Sequence, residues 1–391
     1  MKRRNLLSIV ILTALTITCS TELYAQESKN NPIPSSVQML NIGPEARGTA
    51  LGDAGVATTP DINSQHWNPA KYSFMESSAG ASLSITPWLR SLVSDINLFY
   101  ATGYYKLNKR NTVSASIKYF SLGDLVFTDE EGYEQGSYKP NEFSIDAAYA
   151  LLLSDEFSGA VALRFIHSDL GYQIEDDGYS AGNAFAADIA FYYKKNLALA
   201  GQKANFMAGI NISNIGTKIT YDDGVTNEYL PANMRLGVGF WYEIDQYNKI
   251  GATVDFNKLL VPTPDYNSLT SDDDLYQAKL DYYDKSVPAA IFSSFGDAPD
   301  GGKEELQEID ICGGVEYSYR NMFTARLGYH HNNEYKGNLK YASAGLGIKY
   351  NFFNVDASYL FTIGNANNNS ALNNTIRISL GFDVGMLLKK R

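Results

Sequence analysis

The sequence has little cysteine or histidine and lacks the common catalytic motifs. It contains two cysteines and four histidines in 391 residues, and removal of an export signal would leave Cys312 alone, so no intramolecular disulfide is expected. No HExxH, GxSxG, phosphate-binding loop or paired CxxC pattern occurs. His330 and His331 are neighbours on a predicted strand, so their side chains point to opposite faces and cannot share a metal ion. We therefore expect no catalytic residue, no metal site and no cofactor.

The sequence also lacks a long apolar run after its N-terminus. Basic residues 2–4 precede an apolar stretch over 6–17, and cleavage is predicted after Ala25. The stretch is too short to cross a bilayer, so it predicts a secretory signal peptide over residues 1–25. No later run reaches the roughly 18 apolar residues of a membrane-spanning helix, which excludes that class of membrane protein.

Positive charge is scarce, whereas tyrosine is abundant. The net charge of −11 would repel phosphates and excludes nucleic acid as an expected partner. Acidic clusters at 175–177, 222–223 and 272–274 lack the spacing of a calcium-binding EF-hand and are interpreted as solvated loop charge. The 28 tyrosines and 19 phenylalanines suit the aromatic girdles of a membrane β-barrel.

Runs of about ten residues alternate between apolar and polar side chains. In the last run, Ile376 and Ile378 alternate with Arg377 and Ser379, a period of two that places the two sets on opposite faces of a strand. A tilted strand of about ten residues crosses a bilayer. The predicted strands are 79–87, 96–107, 111–121, 142–153, 157–168, 183–194, 205–215, 233–244, 247–257, 308–319, 322–331, 339–350, 352–362 and 374–384. They predict an all-β fold: a 14-stranded antiparallel transmembrane β-barrel over residues 79–391.

The connections between these strands alternate between short and long. The short set is 108–110, 154–156, 195–204, 245–246, 320–321 and residue 351. The long set is 88–95, 122–141, 169–182, 216–232, 258–307, 332–338 and 363–373. Membrane barrels have short periplasmic turns and long extracellular loops. We therefore expect the outer membrane of a Gram-negative bacterium, with the long loops extracellular and both chain ends periplasmic.

The longest connection, 258–307, is the expected partner-binding loop, because structureless loops of this length are uncommon and often functional. A short helix is predicted over about 275–284. The candidate contact residues are Leu259, Leu260, Val261, Pro262, Leu275 and Tyr276.

Charged residues on the polar faces of the strands are expected to pair inside the barrel. These residues are Arg164, Asp188, Arg235, Arg326, Arg377 and Asp383. Such pairs would have a structural role.

The stretch ARGTALGDAGVATTPDINSQHWNPA, residues 46–70, follows neither the helical nor the strand period. Its small residues suit close packing in a confined lumen, and its glycines permit turns with positive φ. We therefore predict that residues 26–78 form a periplasmic arm and a hatch that fills the barrel. The candidate hatch residues are Gly48, Gly52, Gly55, Trp67, Asn68, Pro69 and Ala70.

Two of these motifs carry a family resemblance. Residues 47–56, followed by Trp-Asn-Pro-Ala at 67–70, resemble the N-terminal hatch of the FadL-type outer-membrane transporters, and 208–216 resemble a strand end of that superfamily. The predicted strand number agrees with the FadL fold. Within the superfamily, the whole mature chain most resembles the PorV family of the type IX secretion system.

The resemblance implies a non-enzymatic shuttle. Such a protein recognises the C-terminal signal domain of secreted cargo at the type IX translocon barrel. It delivers the cargo to a sortase-like surface attachment protein, which joins it to lipopolysaccharide. The alternative is a FadL-like transporter of hydrophobic solutes such as long-chain fatty acids. A third hypothesis, an enzyme acting on lipid A, needs a serine–histidine pair at the lipid-facing rim, and the candidate histidines near strand ends are His167 and His330.

Overall fold

Within the described part of the chain, fourteen strands form a closed antiparallel barrel, as predicted. The computed structural model describes residues 30–389 except 90–92, 94, 130, 172–178, 223, 225, 266–271 and 364–374. The predicted signal peptide, 1–25, lies outside the described residues. The strands are β1 Ala79–Pro87, β2 Asn97–Lys106, β3 Asn111–Ser121, β4 Leu125–Thr128, β5 Glu134–Tyr138, β6 Asn141–Leu152, β7 Phe157–Asp169, β8 Gly182–Leu199, β9 Gln202–Gly216, β10 Asn233–Glu243, β11 Asn248–Leu259, β12 Ile309–Tyr319, β13 Phe323–His331, β14 Lys340–Tyr350, β15 Phe353–Thr362 and β16 Ile376–Phe382.

Neighbouring barrel strands pair in chain order, and β1 closes the barrel on β16. The closing register runs from Ala81 opposite Phe382 to Ile85 opposite Ile378. Strands β4 and β5 form a separate two-stranded hairpin in the connection 122–141, which the sequence analysis left as a loop. Because consecutive barrel strands run antiparallel, successive connections lie at alternate ends of the barrel. All the short turns therefore lie at one end and all the long connections at the other.

One predicted connection, 195–204, is wrong. Strands β8 and β9 continue through it and are joined by Ala200 and Gly201 alone, with φ of 51° and 81°. Two successive positive φ values are typical of the tight turn that matches the twist of a hairpin. The ladder therefore extends to the pair Leu199–Gln202.

The two faces of the barrel wall differ as the sequence predicts. In β16, Ile376 and Ile378 are exposed on the outer face, whereas Arg377 and Ser379 are buried on the inner face. An apolar outer face suits contact with lipid.

The helices are short. They are two 3₁₀ helices, Gln38–Asn41 and Pro69–Phe74, and six α-helices: α1 Ala46–Ala50, α2 Ser64–Trp67, α3 Asp272–Asp284, α4 Val287–Ser293, α5 Gly302–Gln307 and α6 Val384–Lys389. Among the residues that the structure describes, no helix has both the length and the apolar character to cross a membrane.

The chain before β1 runs lengthwise through the barrel. We call residues 31–42 the N-terminal arm and residues 43–74 the lumen segment. At the long-connection end, the Asn31 backbone N–H donates a hydrogen bond of 2.9 Å to Tyr335 O. At the short-turn end, Lys106 Nζ donates to Met75 O at 2.7 Å. The sequence predicted an arm on the short-turn side, but residues 31–42 lie at the opposite end because their partners belong to the long connections.

Candidate functional site

Trp67 is the centre of the lumen segment. Its indole is buried, and Nε1–H donates to Glu45 Oε1 at 2.8 Å. A Cβ at Gly48 would lie 2.5 Å from the indole ring, and a Cβ at Gly55 would lie 2.4 Å from it. The structure thus brings together three of the predicted hatch residues, and the two glycines are required because any side chain would collide with the ring.

Glu45 caps α1 and was missed by the sequence analysis. Its carboxylate accepts from the backbone N–H groups of Arg47 and Gly48, both at 2.6 Å, the pattern of an N-terminal helix cap. Burial, together with the nearby carboxylate of Asp61, raises the pKa of Glu45 to about 7. An acidic residue directly before ARGTA was the available sequence signal for this cap.

Arg47 links helix α1 to the barrel wall through an ion pair. It bonds Asp61 at 2.6 Å and Glu316 on β12 at 3.0 Å. Burial alone would lower the pKa of the Arg47 guanidinium, but the Glu316 and Asp61 carboxylates raise it above its ordinary value. The charge is therefore retained inside the barrel.

The Asn-Pro-Ala motif holds the C-terminal part of the lumen segment in place. Asn68 Nδ2 donates to Val56 O at 3.1 Å and to Phe191 O at 2.9 Å, while its Oδ1 accepts from Ala70 N–H at 3.0 Å. Pro69 occupies the first turn of the second 3₁₀ helix, where its missing N–H costs nothing. Ser158 on β7 donates to Ala70 O at 2.7 Å. The motif therefore joins the lumen segment both to itself and to the wall.

Glycines on the inner face of the wall let the two backbones touch. A Cβ at Gly209 would lie 2.4 Å from Val56 O, and one at Gly314 would lie 2.7 Å from Leu51 Cα. A Cβ at Gly328 would lie 2.2 Å from the nitrogen of Gly52, whose own φ is +73°. The sequence analysis did not single out these wall glycines, although glycine inside a strand often marks such a close approach.

Some of the predicted charge pairs inside the barrel are confirmed. Arg164 bonds Asp188 at 2.8 Å and Asp146 at 3.2 Å, and Arg326 bonds Asp356 at 2.6 Å and also Glu316. These pairs satisfy charges that would be costly to bury alone.

For the other predicted charges, the expectation is wrong. Asp383 accepts a hydrogen bond from Ser77 near the short-turn end. Arg235 and Arg377 form no ion pair with any residue that the structure describes. Arg377 Nε–H instead donates to Gly43 O at 3.0 Å, and Arg235 faces the Trp67 ring at 5.4 Å.

The start of the longest connection is buried. Leu260, Val261 and Pro262 are covered, and Val261 packs in a cluster with Tyr229 and Tyr282. These three residues therefore offer no surface to a partner in this conformation, because their apolar side chains lie beneath the rest of the connection. Leu259 faces a cavity inside the barrel.

Two further candidates, Leu275 and Tyr276, belong to α3, but their side chains lie outside the described residues. Among the described side chains of the connection, four large apolar ones are exposed. The Phe292 side chain is 80% exposed and the Leu306 side chain 71%, and Phe295 and Leu280 are exposed as well. We call these four residues the loop apolar set.

Buried ion pairs hold the base of the connection. Lys258 bonds Glu308 at 2.5 Å and Glu305 at 3.0 Å, while Lys336 bonds Glu304 at 2.5 Å and Glu308 at 3.1 Å. We call these five residues the anchor cluster. Asn31 Nδ2 joins it by donating to Glu304 Oε1 at 3.1 Å. The cluster therefore links the end of β11, α5, the β13–β14 connection and the N-terminal arm.

One histidine lies beside the buried cysteine, and another lies in the lumen segment. Burial and the positive charges of Lys118 and Arg235 lower the pKa of His66 well below its ordinary value. His330 Nδ1 lies 3.1 Å from Cys312 Sγ, and both residues are buried. The described ranges contain no group of three or more histidine, cysteine or acidic residues that could hold a metal ion.

Comparison with known proteins places the chain in a family. No curated protein matches the sequence significantly. Similar solved structures include the Pseudomonas putida toluene transporter TodX, with 9% identity, a TM-score of 0.48, and coverage of 87% of this chain and 98% of that one. The Ralstonia pickettii toluene transporter TbuX is 11% identical, with a TM-score of 0.46 and coverage of 87% and 97%. A Pseudomonas aeruginosa FadL homologue is 10% identical, with a TM-score of 0.42 and coverage of 90% and 99%.

A family model described as type IX secretion system protein PorV matches residues 25–266, more than half of the chain. The match covers the arm, the lumen segment and the wall through β11. This chain therefore belongs to the PorV family of the type IX secretion system.

Proposed function

We propose that this protein is the non-enzymatic cargo shuttle of an outer-membrane type IX secretion system. It binds the C-terminal signal domain of secreted proteins at the translocon barrel. It then delivers them to a sortase-like surface attachment protein, which joins them to lipopolysaccharide. Membership of the PorV family supports the secretion role, and exposed apolar side chains on the longest connection support protein binding.

The loop apolar set carries this proposal. Phe292 and Leu306 are large apolar side chains exposed at 80% and 71% on a connection whose base is fixed by buried ion pairs. Exposed apolar groups on a rigid support are typical of protein-binding surfaces, because little conformational entropy is lost on docking. Aromatic residues are also common among the residues that dominate binding energies.

The presence of the lumen segment inside the barrel is consistent with a carrier of folded domains. The lumen segment contacts the wall backbone at Gly209, Gly314 and Gly328. It therefore occupies space that a wide aqueous channel would need. Cargo would then bind at the end that carries the long connections, which we place outside the cell.

Binding is tested with purified barrel and a cargo protein prepared with and without its C-terminal signal domain. We expect recovery of the barrel only with the domain present, and equal recovery of both forms would overturn the proposal. The double variant Phe292→Ser/Phe295→Ser should weaken capture by about tenfold or more. The control is Tyr133→Ser, an equally exposed aromatic residue beside the β4–β5 hairpin. Loss of capture in the control but not in the double variant would exclude the loop apolar set as the contact.

The proposed orientation has its own test. Lys303→Cys lies on the long connection and Asp155→Cys on a short turn, and both positions are exposed, whereas the native Cys312 is buried. A membrane-impermeant maleimide should label Lys303→Cys in intact cells and Asp155→Cys only after lysis. Labelling of Asp155→Cys in intact cells and of Lys303→Cys only after lysis would show that the barrel has the opposite orientation.

A further inference from the structure

A cavity of about 670 Å³ lies between the N-terminal arm and the inner face of the wall. Val37 and Met39 of the arm line one side, and Arg235 and Arg377 line the wall side. Its volume falls within the range of about 300–1,000 Å³ that is usual for small-molecule sites. The cavity lies at the long-connection end of the lumen segment, and Arg235 separates it from the Trp67 ring.

Seven polar atoms of the cavity residues have no hydrogen-bond partner within the described part of the chain. They are Asn41 Oδ1, Asp53 Oδ1, Asn233 Oδ1, Arg235 Nε, Asn257 Oδ1, His330 Nε2 and Arg377 Nη1. The residues are far from bulk water: Arg377 is 1% exposed and Arg235 is 4% exposed. Buried polar groups in folded proteins nearly always have a hydrogen-bond partner, so a set of seven around one cavity points to a polar occupant.

The two arginines have the chemistry to bind an anion. Arg164 and Arg326, the other arginines of the inner face of the wall, each hold two carboxylates. Arg235 and Arg377 hold none among the described residues, although burying a guanidinium without a counter-charge is expensive. A guanidinium has a planar fork of donors that suits carboxylate and phosphate groups.

The nearby carboxylates already have partners of their own. Glu308 belongs to the anchor cluster, Glu142 Oε1 accepts from Ser168, and Asp310 accepts from Asn332. Asp53 Oδ2 accepts from Tyr341 at 2.5 Å and leaves only its Oδ1 open. Asp53 acts electrostatically on both arginines and Asp255 on Arg235, but neither carboxylate forms an ion pair with them among the described residues, which leaves a place for an anion between the two guanidinium groups.

The remaining open atoms require donors. Four of the seven are oxygens that can only accept, so an anion with a plain alkyl body would leave all four unsatisfied. Hydroxyl groups would satisfy them. Trp88 and Phe120 also line the cavity and offer aromatic faces and edges to the apolar C–H face of a sugar ring.

We propose that this cavity binds a sugar acid, with its carboxylate on Arg235 and Arg377 and its hydroxyls on the open oxygens of Asn233, Asn257 and Asp53. The ligand is either a free sugar acid or the acidic sugar of a surface glycolipid. The proposal does not depend on cargo binding, since the loop apolar set takes no part in it.

The test is titration calorimetry on the purified full barrel in lipid nanodiscs. D-Glucuronate is the probe, D-glucose is the neutral match, and palmitate is an anion without hydroxyls. We expect glucuronate to bind and both comparison ligands to bind at least about tenfold more weakly, since each lacks one half of the recognised chemistry. Equal binding of glucose, or displacement of glucuronate by palmitate, would overturn the proposal. No binding of glucuronate would leave a water-filled cavity and would also overturn it.

Variants locate the site. Arg377→Gln should reduce glucuronate affinity about tenfold or more, although it also removes the hydrogen bond to Gly43 O. Arg235→Gln should have a similar effect, and it loses a 3.5 Å contact to His66 O and the approach of the guanidinium to the Trp67 ring. Arg320→Gln, on an exposed short turn, is the matched control and should bind as the parent does. Unchanged affinity in both cavity variants, with the barrel folded, would overturn the proposal.

A competition experiment separates the two sources. Displacement of bound glucuronate by purified lipopolysaccharide would assign the site to a surface glycolipid. Glucuronate binding that lipopolysaccharide leaves unchanged would assign it to a free sugar acid. Both results support recognition of an acidic sugar.

Discussion

Glu45 Oε1 accepts the indole N–H of Trp67 at 2.8 Å, a bond that joins the first helix of the lumen segment to the Trp-Asn-Pro-Ala motif 22 residues later. The same carboxylate caps α1 through the backbone of Arg47 and Gly48. One buried group therefore contacts both halves of the lumen segment.

Trp67→Phe keeps the aromatic packing but removes the N–H. We expect the lumen segment to lose about 1–3 kcal/mol of local stability, because Glu45 loses one of three hydrogen bonds in a buried site. Hydrogen exchange followed by mass spectrometry should show faster exchange of the amides of residues 46–57. Trp241→Phe, on the barrel wall, is the control, and equal exchange rates in the two variants would contradict the prediction.

The stability of the lumen segment should fall as pH rises from about 4.5 to 7. The folded segment raises the pKa of Glu45 from 4.5 to about 7, because the carboxylate is buried near Asp61. In this window the folded state binds the proton more tightly than the unfolded state does, so deprotonation favours unfolding. The contribution is fully present below pH 4.5 and is lost as pH passes through 7.

The measurement is urea denaturation followed by tryptophan fluorescence, excited selectively over tyrosine, with Trp67 as the only tryptophan after Trp88→Phe and Trp241→Phe. The midpoint should drop between pH 5 and pH 8, and Glu45→Gln, which imitates the protonated group, should remove the drop. A midpoint that rises over this range in the parent protein would show that the sign is wrong.

Gly314→Ala should disturb the lumen segment, whereas Gly313→Ala should not. The first Cβ would lie 2.7 Å from Leu51 Cα inside the barrel, and the second would lie on the outer face, 3.2 Å from Thr253 O. Overpacking of this kind costs about 1–3 kcal/mol. Entry of a large antibiotic into cells should increase only in the Gly314 variant. If the two variants are equally permeable at equal barrel levels, the close approach does not hold the segment in place.

Lys336→Met should loosen the longest connection. It leaves Glu304 without its lysine and Glu308 with Lys258 alone, and breaking a buried ion pair costs about 3–5 kcal/mol. Limited proteolysis should cut the connection 258–307 faster than in the parent protein. Lys139→Met is the control, because its bond to Asp124 is largely exposed and such pairs contribute at most about 1 kcal/mol. Equal cutting of all three proteins would mean that the anchor cluster does not brace the loop.

The barrel strands could be read from the sequence because their signal is local. A strand that faces lipid on one side and the lumen on the other must alternate every residue, as Ile376 to Ser379 do, whatever its neighbours are. The extension of the β8–β9 ladder to Leu199 and Gln202, which the sequence analysis missed, does not follow from such a local signal. Those residues pair only because Ala200 and Gly201 adopt positive φ, which the alternation does not encode.

Some residues of the candidate site could likewise be predicted from the sequence, and others could not. Trp67, Asn68 and Pro69 stood out as an abrupt motif in a featureless stretch, and the structure gives each of them defined contacts. The predicted contact residues Leu260 and Val261 are equally apolar in sequence, but they are buried beneath the connection. Burial depends on where distant helices pack, so composition alone could not separate them from Phe292.

The sequence by itself determined the number, order and facing of the barrel strands, since each follows from a period of two within about ten residues. Only the tertiary structure decided the path of the lumen segment, because its contacts join residues that are far apart in the chain, such as Gly52 and Gly328. The same holds for the arginines. Arg164 and Arg377 are both single charges on the inner face of a strand, yet one meets two carboxylates and the other meets a cavity. That difference arises from which strands and which part of the lumen segment stand opposite each side chain.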